Sequence, residues 1–433
     1  MRHTVSTFHK ENSKLRFSSD EQAIQDMDCL IDDYDCDPFD FQKPELRSLQ
    51  SVEGNKYDEL RQFYHKVASN ETLSYMWAQH VSRFQSPRTQ LNRRSVKEFP
   101  CNTHRASTDV PTSVHQLEPW DIKVVGALGD SITAGNGILA EWWTGVLVEY
   151  RGRSWSIGGD QSYDADVVTL PNILRKYNPN LKGFSLDYGK RVSAISRFNV
   201  ADPGDTAYEM PAQAHMLVER MKADPTVDFQ NDWKLITMFI GGNDLCESCE
   251  DDYVRHSAAN YKMKLQQTLD ILKAEVPRAF VNLVETLDVT PVAALSTGFF
   301  CTAVHAFVCD CARQLNQKST VKALAREYQQ ATEQLVASGR YDTSNDFTVV
   351  VQPFFRNTEP PRGTEPDMSY FSTDCFHFSE KGQKAAAIAL WNNMIERVGH
   401  KQTQWYTEDT LHCPTTHGHP GHYYFATRLN SQL

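Results

Sequence analysis

Short apolar runs alternate with stretches of helical spacing between Trp120 and the C-terminal region. The runs that predict buried strands lie at 123–128, 234–240, 279–284 and 347–355, with a further strand expected at 191–200. The stretches whose apolar spacing predicts helices lie at 207–221, 257–275, 321–337 and 380–398. Continuous apolar strands separated by amphipathic helices are typical of a parallel sheet covered on both faces. We therefore expect an α/β fold with three α/β/α layers and a mainly parallel central sheet.

The chain before Trp120 lacks this alternation of apolar runs and helical stretches. Residues 1–50 are polar and acidic, so we expect a loosely ordered extension. Apolar spacing at 52–84 predicts one or two helices, and the basic stretch 88–96 is expected to be a solvated linker. The C-terminal end is polar and carries a His-rich patch at 412–422.

Charge and cysteine content narrow the class of protein. The 433 residues carry a formal net charge of -11, which argues against a nucleic-acid partner but does not exclude a lipid surface. Ten cysteines favour disulfides and an oxidising compartment. Free thiols and a zinc site built from the pairs Cys246/Cys249 and Cys309/Cys311 remain alternatives.

The sequence gives mixed signals about location. The polar residues after Met1 contain no apolar signal-peptide core, and no membrane anchor is visible. The longest uncharged run, 289–309, is interrupted by Pro291 and Gly298, so we do not expect a membrane span. Asn70 begins a glycosylation acceptor motif, which agrees weakly with export.

Four glycine-rich or acidic loops carry reactive side chains where strands of such a sheet are expected to end. They are 129–131 (GDS), 156–160 (SIGGD), 241–244 (GGND) and 374–377 (DCFH). Acyl transfer needs a nucleophile, a base, a group that orients the base, and donors for an oxyanion. Ser131, His377 and Asp374 can fill the first three roles. The backbone N–H groups of Ser131 and Gly159, with the Asn243 amide, can supply the donors.

Each motif alone has a plainer interpretation. Gly158-Gly159 is common turn chemistry, Gly-Gly-Asn-Asp can cap a helix, and Asp-x-x-His occurs by chance. A second Asp-x-x-His at 409–412 is rejected because a proline follows it and no helix does. Other histidines in helical or apolar stretches are expected to be packing or surface residues: His215, His256 and His305. No Gly-x-Ser-x-Gly motif is present, which removes the α/β-hydrolase alternative.

The order Ser, Gly, Asn and Asp-x-x-His resembles the SGNH, or GDSL, hydrolases, and more narrowly the phospholipase B1 type of lipase. The stretches that carry the resemblance are FPC at 99–101, VPTSVHQLEPWDIKVVGALGDSITAGNG from 110, SWSIGGD from 154, FIGGNDLC from 239, SGRYDTSNDFTVVVQPFF from 338, and DCFH with its ALWNNM helix. The resemblance implies a flavodoxin-like hydrolase domain at 95–415, an N-terminal extension at 1–94 and a polar tail at 416–433. The extension is not covered by the family.

By this resemblance Ser131, Asp374 and His377 form the catalytic triad, and Ser131, Gly159 and Asn243 form the oxyanion hole. The resemblance also implies hydrolysis of acyl esters of glycerophospholipids or lysophospholipids at a lipid surface, with no metal or cofactor. A monomer that is extracellular or membrane-associated is expected. Some family members carry tandem copies and a C-terminal anchor, whereas this chain has one copy. The alternatives are an esterase for other lipid or short-chain esters, such as retinyl or triacyl esters, and a catalytically inactive lipid-binding protein.

Overall fold

The chain divides into two compact units, Met1–Arg83 and Phe84–Leu433. The computed structural model describes residues 77–78, 98–105, 109–141, 143–249, 254–295, 309–314, 316–361, 366–405, 410–415 and 422–431. Apart from a helical Trp77–Ala78, the predicted N-terminal segments all lie outside these residues: the extension at 1–50, the helices at 52–84 with Asn70, and the linker at 88–96. The predicted boundaries at 94/95 and 415/416 stay a prediction.

Four parallel strands form the central sheet in the order β1-β2-β3-β4. They are β1 Ile122–Gly129, β2 Trp233–Phe239, β3 Ala279–Val284 and β4 Phe347–Gln352. All four were expected from the apolar runs. Because the strands are parallel and neighbours in space follow in sequence, their carboxyl ends meet at one edge, where a site is expected in α/β proteins.

Eight α-helices accompany these strands in the described residues. They are α1 Ser131–Ala134, α2 Leu170–Leu174, α3 Met210–Ala223, α4 Gly242–Glu247, α5 Ala258–Glu275, α6 Asp310–Arg313, α7 Lys318–Ala337 and α8 Glu380–Ile395. Short 3₁₀ helices lie at Val114–Gln116, Pro119–Asp121, Trp143–Leu147, Arg151–Arg153, Tyr163–Ala165, Ala194–Ser196, Thr290–Leu295 and Met368–Tyr370. None of the helices within the described ranges is both long and apolar enough to cross a bilayer.

Alternate residues of each strand enter separate cores on the two faces of the sheet. In β1, Val125 and Ala127 join one core, whereas Val124 and Leu128 join the other. The first core includes α2 and α8, and the second includes α3, α5 and α7. Side chains of a strand point alternately to opposite faces, so apolar residues at every position require helices on both sides. The predicted three-layer α/β/α arrangement is confirmed.

The strand predicted at 191–200 is wrong. Ala194–Ser196 form a 3₁₀ turn, and Arg197 has φ 49°, so the segment cannot run extended through these residues. Only the end of the segment approaches the sheet. Asn199 makes an isolated parallel bridge with Ala127 of β1, on the edge that β2 does not occupy.

Three disulfides lie within the described residues. Cys101 pairs with Cys413, and two neighbouring bonds, named here the tandem disulfides, join Cys246 to Cys309 and Cys249 to Cys311. Cys375 is also disulfide-bonded. The expectation of disulfides is therefore confirmed, and the zinc alternative is wrong because the four sulfurs it requires are joined in pairs.

Candidate active site

Ser131 lies on the sharp turn that joins β1 to α1. β1 ends at Gly129, where a β-carbon would lie 2.6 Å from the Phe239 carbonyl oxygen, so a larger residue would displace the neighbouring strand. Asp130 caps α1, because its carboxylate accepts a hydrogen bond from the Ile132 N–H at 2.9 Å. Ser131 is consequently the first helical residue, and 6% of its surface is exposed.

Three buried side chains from two distant segments form one hydrogen-bonded chain. Ser131 Oγ lies 2.8 Å from Nε2 of His377, and Nδ1 of the same ring lies 2.5 Å from Oδ2 of Asp374. The other oxygen of Asp374 accepts hydrogen bonds from the backbone N–H groups of Phe376 and His377. With the ring proton on Nδ1, Nε2 is free to accept the serine proton, as a general base must.

The pKa values of the two aspartates near Ser131, Asp374 and Asp130, are shifted in opposite directions. Burial by itself raises the pKa of Asp374, but the adjacent His377 ring and the backbone donors lower it by more, so its pKa lies below the ordinary value. This keeps Asp374 ionised. Burial raises the pKa of Asp130 to about 7, and the carboxylates of Asp244 and Asp205 add to the rise. Asp130 therefore holds a proton over part of the neutral range.

The loop that carries His377 is fixed from both sides. The Ser372 N–H donates to the His377 carbonyl at 2.7 Å, and the turn between them passes through Cys375, whose φ is 58°. The Ser372 hydroxyl donates to the carbonyl of Gly137, just beyond α1. Ser379 then caps α8, which is anchored in the core. These contacts hold the imidazole against the serine.

Asn243 reaches the same place from the end of β2. Gly241 precedes α4 with φ 121°, a conformation that favours glycine, and this turn directs the start of α4 toward the sheet edge. The Asn243 side-chain amide donates to the Asp205 carbonyl at 2.8 Å. Its second amide hydrogen has no partner among the described residues, and Asn243 lines the same cavity as Ser131.

Gly159 is not brought to this site. Its N–H donates to the Ser185 carbonyl at 2.8 Å, and a β-carbon on it would lie 2.0 Å from the Phe184 ring. A β-carbon on Gly158 would lie 2.6 Å from the Gly152 carbonyl oxygen. Both glycines therefore serve a tightly packed turn. The proposed Gly159 N–H is engaged elsewhere, which corrects the sequence-based expectation.

A different loop, residues 202–205, contacts both the end of β1 and Asn243. Residues 198–200 hydrogen-bond along β1, and the Asp202 N–H then donates to the Gly129 carbonyl at 3.2 Å. The far end of the loop is held by Asn243 through the Asp205 carbonyl. Between them Gly204 is exposed, with φ 85° and no atom within 4 Å of where a β-carbon would lie. Sequence analysis missed this loop, although an apolar run ending in Asp-Pro-Gly-Asp was a usable signal.

An open cavity of about 690 Å³ begins at Ser131. Its apolar lining residues are Ile132, Phe239, Leu287, Val289, Pro291, Pro360, Phe371, Phe376, Phe378 and Trp405. The polar groups are Asp130, Ser131, Asn243, Asp288, Thr358 and Glu359. A hydroxyl nucleophile at one side of an apolar cavity suits an ester with a hydrocarbon chain.

Comparison with known proteins gives a consistent result. The family described as GDSL-like Lipase/Acylhydrolase matches residues 125–390. "Phospholipase B1, membrane-associated" from Homo sapiens is 47% identical over 355 residues, covering 79% of this chain and 24% of that protein. The Mus musculus protein of the same name is 47% identical over 347 residues, covering 77% of this chain and 23% of that protein. The chain thus spans about a quarter of the length of these relatives.

Among solved structures, an extracellular lipase from Streptomyces rimosus aligns with a TM-score of 0.32 and 15% identity, covering 62% of this chain and 98% of that one. That score is too low to support an inference, and the family assignment depends on the sequence match. The match spans more than half of the chain and includes both segments that form the Ser131–His377–Asp374 arrangement. The chain belongs to the GDSL-like lipase/acylhydrolase family.

Proposed function

We propose that this protein hydrolyses acyl esters of glycerophospholipids and lysophospholipids through a serine-bound acyl intermediate. The observation that carries the proposal is the continuous contact from Ser131 Oγ to His377 Nε2 at 2.8 Å and from His377 Nδ1 to Asp374 at 2.5 Å. Such a chain is the arrangement by which a weakly acidic hydroxyl becomes a nucleophile near neutral pH.

The reaction proceeds in two halves. Ser131 Oγ attacks the ester carbonyl while His377 Nε2 takes the hydroxyl proton, and Asp374 stabilises the resulting imidazolium. The imidazolium then gives this proton to the departing alcohol oxygen, which leaves an acyl-serine ester. Water attacks that ester with His377 again as base, and the fatty acid and free Ser131 are released.

The negative charge that develops on the carbonyl oxygen needs preorganised donors. We assign this role to the Ser131 backbone N–H and the free amide hydrogen of Asn243. A third donor is the N–H of Gly204 rather than that of Gly159, because the 202–205 loop is hydrogen-bonded to both Gly129 and Asn243. Neither the Ser131 N–H nor the Gly204 N–H has a partner among the described residues, so both are available.

The substrate class follows from the cavity and from the relatives. The apolar lining beside Ser131 accommodates a hydrocarbon chain, with about 0.8 kcal/mol gained for each methylene removed from water. The two mammalian relatives bear the name phospholipase B1, and they share nearly half of their aligned residues with this chain. A phospholipid or lysophospholipid presented at a lipid surface is therefore the proposed substrate.

Replacement of the nucleophile tests this function. Ser131→Ala removes one hydroxyl, so turnover of phosphatidylcholine vesicles and lysophosphatidylcholine micelles should be abolished while thermal unfolding is retained. Ser338→Ala is the matched control, because Ser338 lies at the end of α7 and donates to the Leu335 carbonyl. A fluorophosphonate probe should label the wild type and the control but not Ser131→Ala. Full turnover or labelling of Ser131→Ala would refute the mechanism, and an unlabelled wild type would favour a catalytically inactive lipid-binding protein.

One observation favours a second candidate, an esterase for neutral lipid esters such as triacyl or retinyl esters. The described lining of the cavity includes the carboxylates of Asp130, Asp288 and Glu359 and no lysine or arginine to bind a phosphate. A substrate panel separates the two functions. Release of fatty acid from phosphatidylcholine at a rate matching that from triacylglycerol supports the phospholipase, whereas turnover of only the neutral ester supports the second candidate.

We also propose that the protein works in an oxidising environment, outside the cell or at a membrane surface. Three disulfides within the described region support this location, because such bonds are rare in the reducing cytosol. Mass spectrometry of alkylated protein from its native source tests the proposal. Free thiols at these positions would contradict it.

A further inference from the structure

The segment before Gly158-Gly159 contains a fully buried arginine whose donors all point to backbone or to one carboxylate. Arg151 is 0% exposed. Its Nε donates to the Gly189 carbonyl at 2.7 Å, Nη1 to the Asn199 carbonyl at 3.2 Å, and Nη2 to the Ala201 carbonyl at 2.9 Å. Nη2 also contacts Glu149 at 2.5 Å. A buried charge is costly unless it is paired in this way, so the guanidinium occupies a site built for it.

Two of these contacts lead directly to the proposed active site. The carbonyls of Asn199 and Ala201 belong to the residues that immediately precede the 202–205 loop. The Asn199 side chain extends the connection, since its amide donates to the Thr133 carbonyl at 3.0 Å and its oxygen accepts from the Ala201 N–H at 3.2 Å. Thr133 lies in α1 with Ser131. The guanidinium, the start of the loop and the helix of the nucleophile thus form one buried network.

We propose that Arg151 is a positioning residue that holds the 202–205 loop in register with Ser131 and Asn243, and that it acts on the reaction only through this backbone. The proposal rests on the proposed function, since it assigns the loop a donor to the oxyanion. Residues 149–201 are absent from the lining of the cavity, so Arg151 has no direct route to the acyl chain. Its effect should therefore be on the chemical step rather than on substrate binding.

Lysine cannot replace arginine in this role. The guanidinium is a planar fork, and here it reaches the carbonyls of Gly189, Asn199 and Ala201 from three different nitrogens. A lysine ammonium keeps the charge beside Glu149 but is one compact donor group, so it cannot span the same carbonyls. Arg151→Lys thus loosens the loop while it preserves the buried ion pair.

The first experiment compares kinetic constants of Arg151→Lys and wild type on a soluble p-nitrophenyl ester and on lysophosphatidylcholine. A misplaced oxyanion donor should lower kcat by about tenfold to a hundredfold, with KM unchanged. Arg105→Lys is the control, because Arg105 pairs with Asp121 at 2.5 Å beside the amino end of β1, far along the strand from Ser131. The control should keep the wild-type kcat. A folded Arg151→Lys variant with wild-type kcat, or one whose KM rises with no fall in kcat, would overturn the proposal.

Coupling provides a second kinetic readout. If Arg151 acts through the loop that Asn243 also holds, the loss in the double variant Arg151→Lys/Asn243→Ala should be smaller than the product of the two single losses. Losses that multiply would mean that the two residues act independently. If Arg151→Lys fails to fold, Glu149→Gln is tested instead. This variant keeps Arg151 in place but replaces its carboxylate partner with a neutral acceptor. We expect kcat to fall by less than in Arg151→Lys, with KM unchanged.

Hydrogen exchange separates failure of this proposal from failure of the proposed function. The Ala207 N–H donates to Asp244 at 3.0 Å and the Asp202 N–H to Gly129, so both amides report on the loop without any substrate. Exchange at 202–207 should be faster in Arg151→Lys than in wild type or Arg105→Lys. Faster exchange in an enzyme that hydrolyses no ester would remove the function but leave the positioning role, and unchanged exchange would remove the positioning role.

Discussion

The proton held by Asp130 should make the stability of this protein decrease between mildly acidic and neutral pH. Asp130 is 3% exposed and caps α1 through the Ile132 N–H. Replacement by asparagine keeps the shape of the side chain and an oxygen that can accept the same hydrogen bond, and asparagine is as good a cap as aspartate. Asp130→Asn therefore removes the titration and leaves the cap.

The magnitude follows from the pKa. Burial raises the pKa of Asp130 from 3.8 to about 7 in the folded protein. Below about pH 4 both folded and unfolded chains carry the proton, and the stabilising contribution is fully present. As the pH rises from about 4 to 7, the unfolded chain loses this proton while the folded chain keeps it, so the contribution is lost progressively and the loss is complete above about pH 7. At about 1.4 kcal/mol per pH unit, the total change is about 4 kcal/mol across this window.

The assay is urea unfolding of wild type and Asp130→Asn at half-unit steps from pH 4 to pH 8. The free energy of unfolding of the variant, relative to wild type, should rise by about 4 kcal/mol from pH 4 to pH 7 and then level off. Asp367→Asn is the control, because hydrogen bonds from Ser369 and Lys381 lower the pKa of the exposed Asp367 to about 2. Its difference from wild type should stay constant over the same range. A constant difference for Asp130→Asn as well would show that Asp130 is ionised throughout, and the reasoning from burial would be wrong.

Two further predictions concern the disulfides and the oxyanion donors. The tandem disulfides close nearly the same loop, with sequence separations of 63 and 62. In the chain-entropy account, replacing either pair by serines should therefore cost about 2 kcal/mol, but replacing both should cost about 6 kcal/mol, which urea unfolding measures. If replacing both pairs costs only the sum of the two single replacements, the two bonds do not share one loop-closing role and the prediction is wrong. Asn243→Ala should lower kcat by about a hundredfold to a thousandfold, because one donor to the oxyanion is lost. A change in KM alone would place Asn243 in substrate binding.

The sheet could be predicted from the sequence because each strand is a local signal. Residues 279–284 are apolar at nearly every position, and β3 has the same limits, Ala279–Val284. The first residue of a helix is harder to predict from the sequence than a strand is. A helix was expected from residue 207, but α3 begins at Met210, because Pro211 fits only the first turn of a helix. The residues before it are needed in the turn that follows the 202–205 loop.

The serine, histidine and aspartate could also be placed in one group, since each lies in a loop next to a well-predicted element. The glycine that we propose as an oxyanion donor, Gly204, could not be placed in the same way. Gly159 and Gly204 both precede an aspartate in a turn, and the choice between them depends on which segment pairs with the free edge of β1. That pairing is made by Asn199 and is set by contacts such as those of Arg151, which lie about 50 residues away in sequence. No local pattern encodes a contact of this range.

The bond between Cys101 and Cys413, which are separated by 312 positions in sequence, closes this part of the chain into one covalent ring. All four strands and both segments that carry the triad lie inside this ring. A protease that cuts a surface loop within it produces a nick rather than two separate fragments, and the fragments part only on reduction. A preparation cleaved within the ring would thus run as one species on a non-reducing gel and as separate fragments on a reducing gel.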